Sequence, residues 1–348
     1  MDLGMIKLLI VDDSALMRRQ LSTVFEEAGG FEIRLARNGQ EALNENLSFQ
    51  PDVVTLDINM PVMDGLTALS HMMEQRRVPV VMVSSLTEQG ALATFEAMAL
   101  GAVDYIAKPD GTISSSLDNV KKELLSKIRA AAKAKVRSTR GSIRPIERSE
   151  MKVRPHVASD GVVVIGVSTG GPRTLEDVLP LFPADFPYPI LVAQHMPASF
   201  TGPFAARMNK MCPMEVVEVT GPTPIEVGVI YIGKGNADMI VSQRGGNKVV
   251  MPKPENKDFA WHPSVELLGR SVLENYDASK VIAVMLTGMG YDGAEAFTEI
   301  KKRGGKTIAE SQESCVVFGM PAELIKRNGA TVTLPATRIA RQVLAWTN

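Results

Sequence analysis

Cysteine is almost absent: Cys212 and Cys315 are the two in 348 residues. Two thiols so far apart build neither a disulfide framework nor a zinc site, and both are expected as core thiols. Long apolar runs are missing too. Val281-Ile282-Ala283-Val284-Met285-Leu286 is among the longest, far short of the roughly 20 residues that span a bilayer. Met1-Asp2-Leu3-Gly4-Met5 has no basic stretch leading into a signal-peptide core. A cytoplasmic protein without membrane insertion is therefore expected. There is no excess of either charge sign: the net charge is −1, which excludes a nucleic-acid footprint for the chain as a whole. Histidine is scarce, with His71, His156, His195 and His262 only, so a general base has few candidates. What remains, 45% hydrophobic and 22% charged residues, is ordinary globular composition, and the length suggests two or three domains.

Residues 5 to about 110 alternate short β-branched runs with amphipathic segments, and helices are expected near 14–28, 38–48, 64–75, 88–100 and 114–130. That alternation implies a parallel sheet covered on both faces. Acidic residues close two of its strands. Lys7-Leu8-Leu9-Ile10-Val11 runs into Asp12-Asp13, and Asp52-Val53-Val54-Thr55-Leu56 runs into Asp57. Lys108-Pro109 follows Asp104-Tyr105-Ile106-Ala107. Ligands of a doubly wound sheet gather at the carboxyl ends of its strands. Carboxylates collected there repel one another unless a hard cation lies between them, and oxygen-only ligands suit Mg²⁺. With a lysine beside it, such a site can hold a phosphoryl group on Asp57. Taken singly the pieces read otherwise: Asp12, Asp13 or Ser14 could cap a helix, and Asp57 could be a turn residue.

Between Lys121 and Arg154, twelve Lys and Arg stand against three Glu. Apolar residues there are sparse and unperiodic, so the stretch reads as a solvated, partly helical linker rather than a docking element. A second α/β pattern begins at Gly161. Strands are expected at 162–167, 189–194, 228–232, 239–242, 248–250, 281–286, 306–309 and 331–334, some of the middle ones antiparallel. Helices are expected at 171–180, 199–211, 263–275, 291–303 and 320–328.

Val162-Val163-Val164-Ile165 leads into Gly166-Val167-Ser168-Thr169-Gly170. G-x-S-x-G between a strand and a helix presents a nucleophilic hydroxyl on a sharp turn. Two other readings stay open: a phosphate-binding glycine loop, and a serine that only caps the helix. A nucleophilic hydroxyl needs a base. His195 closes the strand Ile190-Leu191-Val192-Ala193, at the same edge as Ser168. His71 falls on a helix of the first domain and His156 in the linker; His262 opens a helix and is expected at the surface or facing substrate. Val284-Met285-Leu286-Thr287 ends in Gly288-Met289-Gly290-Tyr291-Asp292. Asp292 is thereby placed to orient the imidazole, and the Met289 amide could donate to an oxyanion. The order Ser, His, Asp differs from the Ser, Asp, His of α/β-hydrolases, so a different α/β fold is expected.

Asp12-Asp13, Asp57, Ser84-Ser85 and Lys108-Pro109, each closing a strand, resemble the receiver domain of bacterial response regulators. That resemblance implies a flavodoxin-like, five-stranded doubly wound parallel sheet. It implies Asp57 as phosphoacceptor; Asp12, Asp13, Asp57 and the Asn59 carbonyl as Mg²⁺ ligands; Lys108 on the phosphoryl group; and Ser84 and Tyr105 as switch residues. Gly166–Pro172, Gln194–Thr201, Leu286–Gly293 and Glu313–Pro321 resemble the catalytic domain of the chemotaxis protein-glutamate methylesterase. Together the two resemblances span essentially the whole chain. They imply a receiver over 1–126, a basic linker over 127–160 and a doubly wound α/β catalytic domain over 161–348. Ser168, His195 and Asp292 would form the triad, with the Met289 amide in the oxyanion hole and Thr169 ordering the site.

The implied reaction is hydrolysis of glutamate methyl esters on chemoreceptor helices, with slower deamidation of particular glutamines by the same acyl chemistry. No cofactor is implied for hydrolysis. A chemotaxis histidine kinase would be the phosphodonor, and the chain is expected as a monomer. Phosphorylation should loosen a receiver that covers the catalytic edge. One region departs from the family pattern, which usually carries Tyr-Ile-Ala-Pro-Gly with a histidine beyond. Here Tyr231-Ile232 is followed by Gly233-Lys234-Gly235-Asn236-Ala237-Asp238. Two other classes are a DNA-binding output domain, for which no helix-turn-helix pair is present, and a phosphorylation-controlled scaffold with a vestigial triad.

Overall fold

A computed structural model describes residues 5–85, 87–108, 117–134 and 159–347. The chain divides into two compact units, Met1–Ser142 and Ile143–Asn348.

In the first unit the strands are β1 (Ile6–Val11), β2 (Phe31–Ala36), β3 (Val53–Asp57), β4 (Val80–Ser84) and β5 (Asp104–Ala107). The helices are α1 (Ala15–Ala28), α2 (Gly39–Ser48), α3 (Gly65–Gln75), α4 (Glu88–Leu100) and α5 (Leu117–Ala131). All strand pairs are parallel, in the order β2-β1-β3-β4-β5. This is the flavodoxin-like order, whose switch point lies between β1 and β3. β3 and β4 are buried at every residue, as strands covered on both faces must be, which is why they read as near-continuous apolar runs, interrupted at Thr55 and closed by Asp57 and Ser84. Local capping sets the helix starts: the side chains of Ser14, Asn38, Asp64 and Thr87 each accept a backbone N–H of the turn that follows. α5 runs on to Ala131, into the stretch read as linker. Residues 135–158 of that stretch, with His156, lie outside the described residues, as does Pro109.

The second unit carries β6 (Val162–Val167), β7 (Ile190–Gln194), β8 (Glu215–Val219), β9 (Thr223–Pro224), β10 (Val229–Gly233), β11 (Asp238–Arg244), β12 (Asn247–Lys253), β13 (Val281–Met285), β14 (Lys306–Glu310) and β15 (Val332–Leu334). Its helices are α6 (Gly171–Val178), α7 (Ala198–Met211), α8 (Val265–Asn275), α9 (Ala294–Lys302), α10 (Met320–Lys326) and α11 (Ala336–Thr347). Seven strands form a parallel sheet in the order β15-β14-β13-β6-β7-β10-β8. β11, β12 and β9 form a small antiparallel sheet, the antiparallel element expected in the middle of the domain. The chain starts the large sheet at β6, builds outward through β7, then returns to β13 on the other side of β6. The switch point therefore falls between β6 and β13, where a doubly wound sheet opens its ligand crevice.

Three of these elements go beyond the sequence reading: the two-residue β9, β8 and α11. β8, Glu-Val-Val-Glu-Val, is an edge strand with Glu215 exposed and Val216 and Val219 buried; charged residues are usual on a sheet edge and mask the strand signal. α11 buries Ala336, Ile339, Ala340 and Val343 along one face, the 3.6-residue spacing of an amphipathic helix. Cys212 and Cys315 are buried and unpaired with each other.

Candidate active site

Ser168 and His195 are each one residue beyond the paired register Val167–Gln194 at the ends of β6 and β7. The His195 amide donates to the Val167 carbonyl at 3.1 Å, and the Ser168 amide to the Thr287 carbonyl, just past β13, at 3.0 Å. The three strand ends flanking the switch point are thus stitched together around the serine. Gly288 lies directly against it: a Cβ there would come within 2.7 Å of the Ser168 Cβ, so only glycine allows this approach. Gln194, buried, donates from Nε2 to both the Ser168 and the His195 carbonyls, each at 3.0 Å. It clamps the two loops to each other. Thr287, fully buried, donates to the Thr169 carbonyl and accepts from the Val316 and Val317 amides. Its own amide donates to Glu310 Oε2 at 2.8 Å.

The His195 imidazole is 8% exposed, and its Nε2 lies 2.9 Å from Asp292 Oδ2. Asp292 is held by more than the histidine. Oδ2 also accepts the Val265 amide at 2.7 Å; Oδ1 accepts the Glu266 amide at 3.0 Å and the Ser264 hydroxyl at 3.1 Å. Val265 and Glu266 open α8, whose N-cap is Ser264, so the carboxylate sits on unsatisfied N–H groups at the positive end of a helix. Burial pushes the Asp292 carboxyl up, but the hydrogen bond and charge of His195 and the two helix amides outweigh it and hold the group below its ordinary range. The carboxylate acting as acceptor fixes the proton on Nε2, which leaves Nδ1 bare. Nδ1 is buried and has no hydrogen-bond partner among the described residues. The ring is used with its two nitrogens exchanged relative to the chymotrypsin-type triad.

The Ser168 hydroxyl makes no hydrogen bond among the described residues, and neither the Thr169 nor the Met289 amide donates to an acceptor there. Ser168 itself is 6% exposed. A free hydroxyl, a bare ring nitrogen and uncommitted N–H groups at one strand edge are groups that acyl transfer can use.

His262, expected at the surface or facing substrate, does not lie at an open surface. Its side chain is 15% exposed and Nδ1 lies 2.8 Å from Asp238 Oδ1. Asp238 is buried and accepts the Ser264 and Asn256 amides as well, both at 2.8 Å. The divergent loop before it is equally well anchored: the Asn236 side chain accepts the Ala198 amide at 3.0 Å at the start of α7. Sequence reasoning passed over Gln194, Thr287 and the Ser264–Glu266 cradle. Ser264, ahead of the apolar run of α8, carried a readable N-cap signal; its carboxylate partner 28 residues on did not.

The first unit gathers the other set of residues. Asp12, Asp13 and Asp57 bring carboxylate oxygens within 4.8 Å of one another. Asp12 and Asp57 are buried, whereas Asp13 and Asn59 are exposed. Lys108 Nζ lies 2.8 Å from Asp57 Oδ2 and 3.1 Å from Asp12 Oδ2. Burial pushes the Asp57 carboxyl up, and the Lys108 charge only partly offsets this. Three hard oxygen donors around a half-buried pocket fit Mg²⁺. Ser84, at the end of β4, is buried with its hydroxyl donating to the Gly90 carbonyl at 3.2 Å. Tyr105 is fully buried on β5, and Lys127 of α5 lies 5.1 Å over its ring.

Residues 163–343 match the CheB methylesterase family and residues 8–114 the response regulator receiver domain. The chain belongs to the CheB methylesterase family. It is 54% identical to a protein-glutamate methylesterase/protein-glutamine glutaminase of Rhodospirillum rubrum, over 98% of this chain and 96% of that one. It is 44% identical to one of Caldanaerobacter subterraneus, over 99% and 97%. The catalytic domain of Thermotoga maritima CheB methylesterase superposes with a TM-score of 0.52 at 38% identity, covering 54% of this chain and 99% of that domain. No helix among the described residues is long and apolar enough to cross a membrane.

Proposed function

We propose that this CheB-family protein hydrolyses glutamate γ-methyl esters on the cytoplasmic helices of chemoreceptors, under control of phosphorylation at Asp57. The reading rests on one observation: at the ends of the paired strands β6 and β7, Ser168 and His195 stand side by side, and His195 donates through Nε2 to a carboxylate held by three further donors while its buried Nδ1 has no partner among the described residues. Ser168 Oγ attacks the ester carbonyl as Nδ1 of His195 takes its proton. The Met289 amide, with that of Thr169 next to the nucleophile, donates to the oxyanion. The C–O bond to methoxide breaks and His195 returns the proton, releasing methanol. Water then attacks the acyl-serine by the same route, freeing the glutamate and the enzyme. Asp292 offsets the imidazolium charge in both halves. Deamidation of glutamine follows the same steps with a poorer leaving group, and is slower.

In the receiver, Asp57 carries the phosphoryl group and Lys108 pairs with it. Asp12, Asp13, Asp57 and the Asn59 carbonyl would hold Mg²⁺, which when bound neutralises phosphoryl charge. Ser84 and Tyr105 are the switch residues that respond. The partners are then the receptors and a chemotaxis histidine kinase, in the cytoplasm, with 1–126 as receiver, 127–160 as linker and 161–348 as catalytic domain. The test is methanol release from methylated receptor membranes by the full-length protein, with and without a small phosphodonor. Release stimulated by the phosphodonor is expected; no release under either condition rejects the reading.

A further inference from the structure

The segment from Asn256 to Ser264 joins the antiparallel sheet to α8, and it is tied down from within. Asp238, at the start of β11, accepts the Asn256 amide at one end of the segment and the Ser264 amide at the other, with His262 Nδ1 between them. Ser264 is also the residue whose hydroxyl donates to Asp292. The pair of buried Asp238 and partly buried His262 therefore sets the path of the segment relative to the triad. That path carries Trp261 onto the catalytic imidazole. The indole and the His195 ring lie 6.0 Å apart, centroid to centroid, and within 8° of parallel. Tyr291 meets the indole edge-on at 5.2 Å and 86°. Gly290, at φ +85°, comes so close that a Cβ on it would approach the ring to 2.7 Å. The indole is thus confined by the oxyanion loop and stacked on the base.

We infer that Trp261 is a positioning residue of the ester hydrolysis: its indole face holds the His195 ring in plane and stabilises the imidazolium formed when Ser168 loses its proton. Parallel stacking at this separation is within the range over which an aromatic face attracts a cation. The neutral ring of the resting enzyme gains less from the indole than the charged ring of the transition state, so the contact lowers the barrier rather than tightening substrate binding. This rests on His195 being the base. The ionisable groups around the stack are Asp292 on His195, His262 with Asp238 beside the indole, and Tyr291 at its edge.

Two measurements on the full-length protein test it. The chain has two tryptophans; the other, Trp346, is in α11 and outside the site. Trp346→Phe leaves Trp261 as the sole tryptophan, excited selectively at the red edge of indole absorption, and protonated imidazole quenches indole emission on contact. Emission should fall reversibly on acidification, and the fall should vanish in His195→Gln. A fall that persists in His195→Gln belongs to another group, His262 being adjacent, and overturns the stack, as does the absence of any fall. In methanol release, Trp261→Leu should lower kcat about tenfold with little change in KM, and Trp261→Phe should recover most of the loss. Wild-type kcat in Trp261→Leu, or equal losses for Leu and Phe, overturns the inference. If Ser168→Ala is inactive while Trp261→Leu is normal, the inference alone fails. If Ser168→Ala is fully active, the hydrolytic reading fails, and the fluorescence titration still reports on the stack.

Discussion

Replacing Asp292 by asparagine is the most informative single change to the site. The carboxylate receives four donors on two oxygens: His195 and the Val265 amide on Oδ2, the Glu266 amide and the Ser264 hydroxyl on Oδ1. An asparagine NH₂ in the Oδ2 position would oppose two N–H donors. In the Oδ1 position it opposes one, because the Ser264 hydroxyl can turn and accept. The amide therefore settles with its oxygen toward His195, and the imidazole keeps its proton on Nε2 and its bare Nδ1. What is lost is the negative charge opposite the imidazolium. A charge-assisted hydrogen bond in a buried site exceeds a neutral one by about 2–3 kcal/mol, which predicts a fall in kcat of about 100-fold. Methanol release from methylated receptor membranes measures it, with KM expected to change little. A variant that retains half of the wild-type kcat would show that Asp292 does not support the imidazolium. A loss as deep as that of Ser168→Ala would show that the tautomer reversed, contrary to the donor count. The acid response should change as well. The wild-type carboxyl sits below its ordinary range, so its stabilising contribution is complete above the unfolded-state value and fades as pH falls through the folded-state value. Thermal melts of Asp292→Asn should lack that part of the acid destabilisation.

Ser168→Ala and His195→Ala should each lower methanol release by about 10⁴-fold or more, and the double variant should be scarcely worse, because the pair acts as one unit. Asp57→Asn should keep the basal rate and lose all response to a phosphodonor; a retained response would move the phosphoacceptor elsewhere. The Asp57 carboxyl is raised by burial, so its contribution to stability is complete below the unfolded-state value and is lost as pH rises through the folded-state value. At neutral pH without divalent cation, Asp57→Asn should therefore melt higher than wild type in calorimetry, and Mg²⁺ should stabilise the wild type more than the variant. Removing residues 1 to about 150 should raise the basal rate above that of the unphosphorylated full-length protein and abolish the phosphodonor response; ~100-fold activation would correspond to about 2.7 kcal/mol between restrained and active forms. A slower truncated protein would show that the receiver assists catalysis.

The sequence by itself determined the two α/β units, because strands buried on both faces must be near-continuous apolar runs: β6 and β13 are wholly apolar, and β1 and β3 nearly so. It also marked Asp12, Asp57, Ser168 and His195 as strand-end residues and Asp292 in the loop that follows a strand, since chemistry in a doubly wound sheet collects at carboxyl ends. Strand order belongs to tertiary structure: that β13 returns beside β6 while β7 lies on its other side is a matter of long-range pairing, and it alone brings Asp292 across 97 residues to His195. Which ring nitrogen meets the carboxylate was equally out of reach, because it depends on the α8 amides that fix Asp292. The partner of His262 was not legible either, because Asp238 lies 24 residues earlier on a different element. The stacking of Trp261 on His195 follows from that same pair. A local pattern specifies which side chains stand at the end of a strand; which of them face one another is decided by the packing of segments that the sequence keeps far apart.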